Sequence, residues 1–254
     1  MWYSIYLLST IGGIMETYYY YFLLFFIYSC IGWVVEVIDQ RIEIGKYVNR
    51  GFLIGPYCPI YGVGGLIMVF TLSRYMNSPI ILFVMAITIC SVLEYATGAI
   101  LEKIFNVRWW DYSNKKLNIN GRICLETMIP FGLLGIVVLY YINPFLTKKI
   151  YSLSSGTLQL ISIIIFSLFF IDLVISLITI IKIKSTFKDI EKDGTEEINK
   201  KVIATVFKDN WLIRRIFKAF PTFKNKKELL ISMQKRIEKE LGRLAKSIKR
   251  DNKY

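Results

Sequence analysis

Residues 157–181 read TLQLISIIIFSLFFIDLVISLITII, an apolar run with a single acid, Asp172. An α-helix rises about 1.5 Å per residue and the hydrocarbon core of a bilayer is about 30 Å thick, so about 20 apolar residues make one crossing. This run is therefore long enough to span a membrane. Two runs of similar length, Tyr18–Ile38 and Pro79–Leu101, precede it in the chain.

Two further apolar runs, Tyr57–Leu72 and Leu125–Ile142, are shorter and reach a full crossing only with their flanking residues. Together the runs predict an all-α polytopic integral membrane protein, a helical bundle with about five transmembrane helices over residues 18–181. Residues 1–17 are interpreted as an N-terminal extension that begins either at Met1 or at a later start, Met15. Residues 182–254 are predicted to form a basic, amphipathic helical tail.

The loops between the runs alternate between few and many basic residues. Because basic residues collect on the cytoplasmic side, this alternation predicts a plasma-membrane protein with its N-terminus outside and its C-terminus in the cytoplasm. The basic residues before the tail are Arg41, Lys46 and Arg50 in the first loop, Arg74 in the second, Lys103, Arg108, Lys115, Lys116 and Arg122 in the third, and Lys148 and Lys149 in the fourth.

The net charge of +13 is concentrated in the tail, where 21 basic residues outweigh 10 acidic ones. Trp211–Phe220 interleaves aromatic residues with cations, and Leu230–Ile248 repeats apolar residues at steps of three and four. These patterns predict that the tail binds anionic lipid head groups or a partner helix. Binding of nucleic acid is not expected, because acids are mixed with the cations beside a membrane anchor.

The chain has no histidine, which removes the usual proton shuttle and the Ser/His and Cys/His nucleophile pairs. Its four cysteines, Cys30, Cys58, Cys90 and Cys124, have no CxxC pairing and are interpreted as free thiols. We therefore expect no catalytic residues, no metal and no cofactor. A lipid head-group enzyme that holds Mg²⁺ with carboxylates is a weaker alternative.

Four acidic residues within the apolar runs are candidate ligand-binding residues: Glu36, Glu94, Glu126 and Asp172. An ionisable group inside a membrane is costly unless it faces a polar cavity or a partner. Glu94 and Asp172 are the deeper pair, and the alternative for them is a structural hydrogen bond between helices. The alternative for the shallower pair is an ordinary carboxylate at a helix end.

Candidate partners for these acids lie in the predicted cytoplasmic loops. Arginine binds carboxylate or phosphate groups with two parallel hydrogen bonds, and loop aromatics can line a ligand site or form an interfacial belt. The candidates are Arg50, Arg108, Trp110, Asp111 and Arg122.

Several short motifs occur in a fixed order along the chain. They are Gly32, Trp33 and Glu36; NRGF at Asn49–Phe52; GPYCPIY at Gly55–Tyr61, followed by Gly62 and Gly64; Leu93, Glu94 and Tyr95; Trp110, Asp111 and Tyr112; and NGRICLE at Asn120–Glu126. This series resembles the CmpB-like family of type IV ABC-transporter membrane proteins over about residues 18–145. The resemblance implies a transport role and supplies no catalytic residues.

The leading hypothesis is a transporter or permease component with a cytoplasm-facing polar cavity for a small cationic or zwitterionic ligand. The alternative is a membrane scaffold or regulatory protein that acts through its basic tail. The chain contains no GxxxxGK[ST] phosphate-binding loop, so an ABC system would need a separate ATPase subunit. The expected partners are therefore the bilayer, anionic lipids, an ATPase and further copies of the chain.

Overall fold

A computed structural model describes residues 2–105, 107–192 and 211–220. Helices dominate these residues, and no named β-strand occurs among them. The predicted all-α membrane bundle is therefore confirmed. The helices are α1 (Trp2–Ile44), α2 (Pro59–Leu72), α3 (Pro79–Phe105), α4 (Leu125–Val137), α5 (Asn143–Tyr151), α6 (Ser155–Lys192) and α7 (Trp211–Ala219).

Four described helical segments are long and apolar enough to cross a membrane: Gly13–Ile42, Pro79–Phe105, Leu125–Tyr151 and Ser155–Ser185. They coincide with four of the five predicted crossings. Because α1 begins at Trp2, the predicted N-terminal extension continues into the first span as one helix. The orientation of the termini stays a prediction.

The remaining predicted crossing contains α2, which has 14 residues and is therefore about 21 Å long. The helix begins at Pro59 because a residue before proline is driven out of the helical region, and Cys58 is extended with φ −118°. At its other end α2 passes into the 3₁₀ turn Ser73–Tyr75. Since α2 alone is too short for a crossing, the count of five stays a prediction.

Before α2 begins, the chain enters the bundle as non-helical backbone. At the start of α2, the Cys58 amide donates a 2.8 Å hydrogen bond to the carbonyl of Ser29 on α1. Ser29 precedes Ile38, the end of the predicted first span, by nine residues, so the prediction places this contact about 13 Å inside the apolar layer. We call residues 49–58 the entry segment, because this stretch carries the backbone to that depth without helical hydrogen bonds.

Two glycines bring the backbone of α2 against α1. A Cβ atom on Gly62 would lie 2.5 Å from the carbonyl oxygen of Phe25, and one on Gly65 would lie 2.5 Å from the ring of Tyr28. Both positions require glycine, since neither distance is compatible with a methyl group. The close helix approach expected at such small-residue positions is therefore present.

The third membrane-length segment is broken in its middle. The π-helical turn Val138–Ile142 joins α4 to α5 just before Pro144. Proline lacks an amide donor and its ring crowds the carbonyl four residues earlier, which a wider π turn accommodates. Beside the break, the Tyr28 hydroxyl donates to the Asn143 side chain at 2.8 Å, which connects this turn to α1.

The chain divides into two compact units, and the candidate site described below lies in the first, which comprises Met1–Ile100 and Asp111–Val174. The second comprises Leu101–Trp110 and Ile175–Tyr254. Within the second unit, the Lys184 ammonium donates to the Ile104 carbonyl at 2.6 Å and covers the end of α3. In the predicted helical tail, α7 coincides with the Trp211–Phe220 stretch, and the Leu230–Ile248 stripe lies outside the described residues.

We expect Gly62→Ala to destabilise the bundle, because the added methyl group meets a backbone oxygen that cannot rotate away. The expected loss is about 1–3 kcal/mol of unfolding free energy. The measurement is thermal unfolding of the full chain in a neutral detergent. The matched control is Gly156→Ala on α6, where a Cβ meets nothing within 4 Å. An equal loss in both variants would contradict the α1–α2 packing.

Candidate functional site

Asp172 on α6 holds the entry segment. One of its carboxylate oxygens accepts a 2.9 Å hydrogen bond from the Ile54 amide, and the other accepts bonds from the Gly55 amide at 2.8 Å and the Tyr57 hydroxyl at 2.5 Å. The residue is 8% exposed, so the acid faces protein. Because an unpaired amide in an apolar layer costs several kcal/mol, Asp172 supplies acceptors that a helix would otherwise provide.

Asn49 fixes the start of the same segment. Its side-chain oxygen accepts hydrogen bonds from the Trp33 indole at 2.8 Å and from the Gly51 amide at 3.0 Å. Its side-chain amide donates to the Ile54 carbonyl at 3.0 Å. Arg50 therefore lies on a stretch of backbone that is held by hydrogen bonds to α1 and by hydrogen bonds within the entry segment.

Glu36, on α1, joins this stretch to α2. The Tyr61 hydroxyl donates to one of its carboxylate oxygens at 2.6 Å, and the Arg50 guanidinium lies 3.8 Å from the other. The Glu36 and Arg50 side chains are 28% and 24% exposed. Such a partly solvated ion pair contributes little stability, so its main effect is to place opposite charges at the edge of the bundle.

Glu94, on α3, lies deeper than Glu36 and is 6% exposed. Its carboxylate accepts hydrogen bonds from the Tyr112 hydroxyl and, at 3.4 Å, from the hydroxyl of Thr127 on α4. Burial, followed by the negative charge of Glu94, raises the pKa of Tyr112 above its ordinary value. The phenol therefore keeps its proton at neutral pH and acts as a donor.

The two acids belong to one electrostatic group. Tyr112 interacts electrostatically with Glu94, Glu36 and Arg50, and Tyr61 does so with both Glu36 and Tyr112. We call these five residues the acid–tyrosine cluster. It brings residues of α1, the entry segment, α2, α3 and the α3–α4 loop together, with two carboxylates and one guanidinium.

Other sequence-predicted residues of the first unit have different surroundings. Glu126 is exposed and pairs with Lys115 at 2.8 Å. Arg122 lies over a tyrosine ring of α3, 5.2 Å from its centroid. Asp111 is exposed and accepts a 3.0 Å hydrogen bond from a backbone amide of its own turn. A ligand role for these three residues stays a prediction.

The last two predicted residues lie in the second unit. The Arg108 guanidinium donates to Glu102 at 3.0 Å, and both side chains are partly exposed. Trp110 is half-buried in the same unit. Their ligand roles also stay predictions.

Sequence reasoning missed the polar groups that join the acids, namely Tyr61, Tyr112, Asn49 and Thr127. Tyr61 ends the GPYCPIY motif and Tyr112 follows Trp110 and Asp111, so both lay in motifs already selected. Within residues 2–105, 107–192 and 211–220, no group of three or more His, Cys, Asp or Glu residues could hold a metal ion. The cluster is thus a carboxylate–phenol–guanidinium site.

A cleft of about 190 Å³ lies in the first unit at the opposite end of α1. Its lining includes Glu16, Tyr20 and Tyr151. None of the five residues of the acid–tyrosine cluster lines it, so the predicted cytoplasm-facing cavity stays a prediction.

We expect Asp172→Asn to loosen the entry segment, because one acceptor oxygen becomes an amide donor that faces other donors. Leaving a buried donor unsatisfied costs about 1–3 kcal/mol, so local opening should rise about tenfold. The measurement is the alkylation rate of Cys58, which is 7% exposed at the end of this segment, read by peptide mass spectrometry. Asp111→Asn on the exposed loop is the control, and an unchanged Cys58 rate in Asp172→Asn would contradict the clamp.

A family model described as Putative ABC-transporter type IV matches residues 23–177. Searches of curated proteins and of solved structures gave no significant match. The matched range extends past the motifs that carry the resemblance and includes Asp172. Together with the four membrane-length helices, it makes the chain a multi-pass membrane protein. Because the match covers more than half of the chain, the protein belongs to the CmpB-like family described as Putative ABC-transporter type IV.

Proposed function

We propose that this protein is a permease-like component of a transport system and that the acid–tyrosine cluster binds a small cationic or zwitterionic ligand. The observation that carries the proposal is the charge count of the cluster. The cluster has two carboxylates, those of Glu36 and Glu94, and one guanidinium, that of Arg50, which lies 3.8 Å from Glu36. With both carboxylates ionised, a ligand with one positive charge would balance the charge of the cluster.

The chemistry of the cluster fits an ammonium group. A buried carboxylate is costly without a charge or hydrogen-bond partner, so a cation beside Glu94 gains more there than at an exposed acid. The tyrosine hydroxyl oxygens at Tyr61 and Tyr112 are additional acceptors. In a zwitterion, the carboxylate of the ligand would pair with Arg50, whose planar guanidinium suits that geometry.

The residues of the cluster differ in exposure, which supports a side from which the ligand would enter. Glu36 and Arg50 are partly exposed, whereas Glu94 is buried. With the topology expected from the basic loops, the exposed pair faces the cytoplasm. The adjoining entry segment is a stretch of irregular backbone within the apolar layer, and broken helices of this kind often border transport sites.

Because the sequence contains no GxxxxGK[ST] loop, we propose that a second chain provides the ATPase. A separate ATPase subunit would supply ATP hydrolysis, and further copies of this chain would complete a membrane pathway. We propose that the chain itself binds and releases its ligand without chemical conversion. We place it in the plasma membrane, with the N-terminus outside and the C-terminus in the cytoplasm.

The scaffold or regulator reading is the second candidate. The observation that favours it is the amphipathic character of α7, which has apolar residues on its buried side and cations on its exposed side. A scaffold of this kind would bind lipid or protein through the tail and would not need the acid–tyrosine cluster.

We expect Glu94→Gln and Glu36→Gln each to weaken ligand binding, because each removes one of the two negative charges and keeps the shape of the side chain. The measurement is the thermal stability of the full chain in neutral detergent with a panel of small ammonium ions and zwitterions, including tetramethylammonium and glycine. At least one panel member should raise the unfolding temperature of the wild type. Loss of one charged contact should weaken its binding by about tenfold or more.

Asp39→Asn is the matched control, because it removes an exposed acid of α1 in the same unit. It should retain the binding of the wild type. Binding as strong as that of the wild type in both Glu94→Gln and Glu36→Gln would overturn the proposal, and so would a panel to which the wild type does not respond.

A further inference from the structure

Helix α7 has two chemically distinct sides. Ile213, Ile216 and Phe220 are buried, with exposed fractions of 0%, 1% and 6%. Trp211, which is 59% exposed, heads the other side. Arg214 and Lys218 follow at steps of three and four and are also exposed, so they share one face of the helix with Trp211.

The buried side is docked beside the end of a membrane-length helix. The ring of Phe220, the residue after α7, packs edge-on against Trp109 with centroids 4.6 Å apart. Trp109 in turn packs against Phe105, the last residue of α3, at 5.6 Å. Since the apolar span of α3 ends there, we infer that α7 lies near the level where hydrocarbon gives way to lipid head groups.

The residues of the exposed face favour binding of a negatively charged group. Tryptophan prefers the membrane interface, and arginine and lysine form charge-assisted hydrogen bonds with phosphate. The sequence of α7, WLIRRIFKA, contains no acid that would neutralise these cations within the helix. The patch thus combines an aromatic anchor with two exposed positive charges.

We propose that the Trp211–Arg214–Lys218 face of α7 is a binding site for the head group of an anionic phospholipid. This inference is independent of the proposed ligand site, because it concerns a different unit of the chain and a different class of partner. The phosphate lies between the guanidinium and the ammonium group, and the indole rests among the upper acyl carbons. The second unit is thereby attached to the charged leaflet.

The test uses the full chain in vesicles of phosphatidylcholine with a fraction of phosphatidylglycerol. One lipid at a time carries bromine near its head group, where it quenches tryptophan fluorescence. The signal of Trp211 is obtained as the difference between the wild type and Trp211→Phe. We expect phosphatidylglycerol to be preferred over phosphatidylcholine at Trp211 by about five- to tenfold at low salt, with the preference falling as salt is added.

The double variant Arg214→Gln with Lys218→Gln should lower this preference to about one. Its Trp211 signal is the difference between this double variant and the same variant that also carries Trp211→Phe. Exchange of the two cations, Arg214→Lys with Lys218→Arg, should preserve the preference and verify that the helix is folded. The double variant Lys148→Gln with Lys149→Gln on α5 removes two exposed cations elsewhere and should leave it unchanged. Equal quenching by both lipids in the wild type, or a preference that survives removal of both charges, would overturn the proposal.

Discussion

The structure depends on how the polar backbone of the entry segment is satisfied inside an apolar layer. The hydrocarbon core of a bilayer offers no water, so amides without helical partners need acceptors from the protein there. Asp172 provides them for Ile54 and Gly55, and the Ser29 carbonyl does so for Cys58. Because these acceptors exist, α2 can begin in the middle of the bundle instead of at its edge.

The N-terminal part of the entry segment places Arg50 close to Glu36. Asn49 and its partners hold the backbone beside Arg50, and the first turn of α2 presents Tyr61 to Glu36. Glycine at position 62 then lets the two helices approach closely enough for this contact. The packing of α1 on α2 and the geometry of the acid–tyrosine cluster are therefore a single arrangement, and both lie within the residues matched by the family.

The length of the apolar runs was sufficient to predict the helical membrane bundle and the positions of the long spans, because a crossing has a fixed length. The same reasoning identified Glu36, Glu94 and Arg50, since charged residues in or beside a span need partners. It did not assign Asp172 to the entry segment, because that contact joins residues 118 positions apart. Nor did it distinguish the 14-residue helix α2 from a short crossing. Tyr61 and Tyr112 were missed because phenols at a membrane edge resemble an ordinary aromatic belt.

The long sequence separation between Asp172 and the entry segment has a consequence for biosynthesis. A ribosome adds about 5–20 residues per second, so the 118 residues between Ile54 and its acceptor take roughly 6–24 s to synthesise. During that interval the Asp172 carboxylate is not yet available to the amides of Ile54 and Gly55. The backbone before α2 therefore lacks the hydrogen bonds that hold it in the finished structure. The start of α2 therefore depends on a residue of α6, and a chain interrupted before residue 172 would lack the acceptor that holds the entry segment.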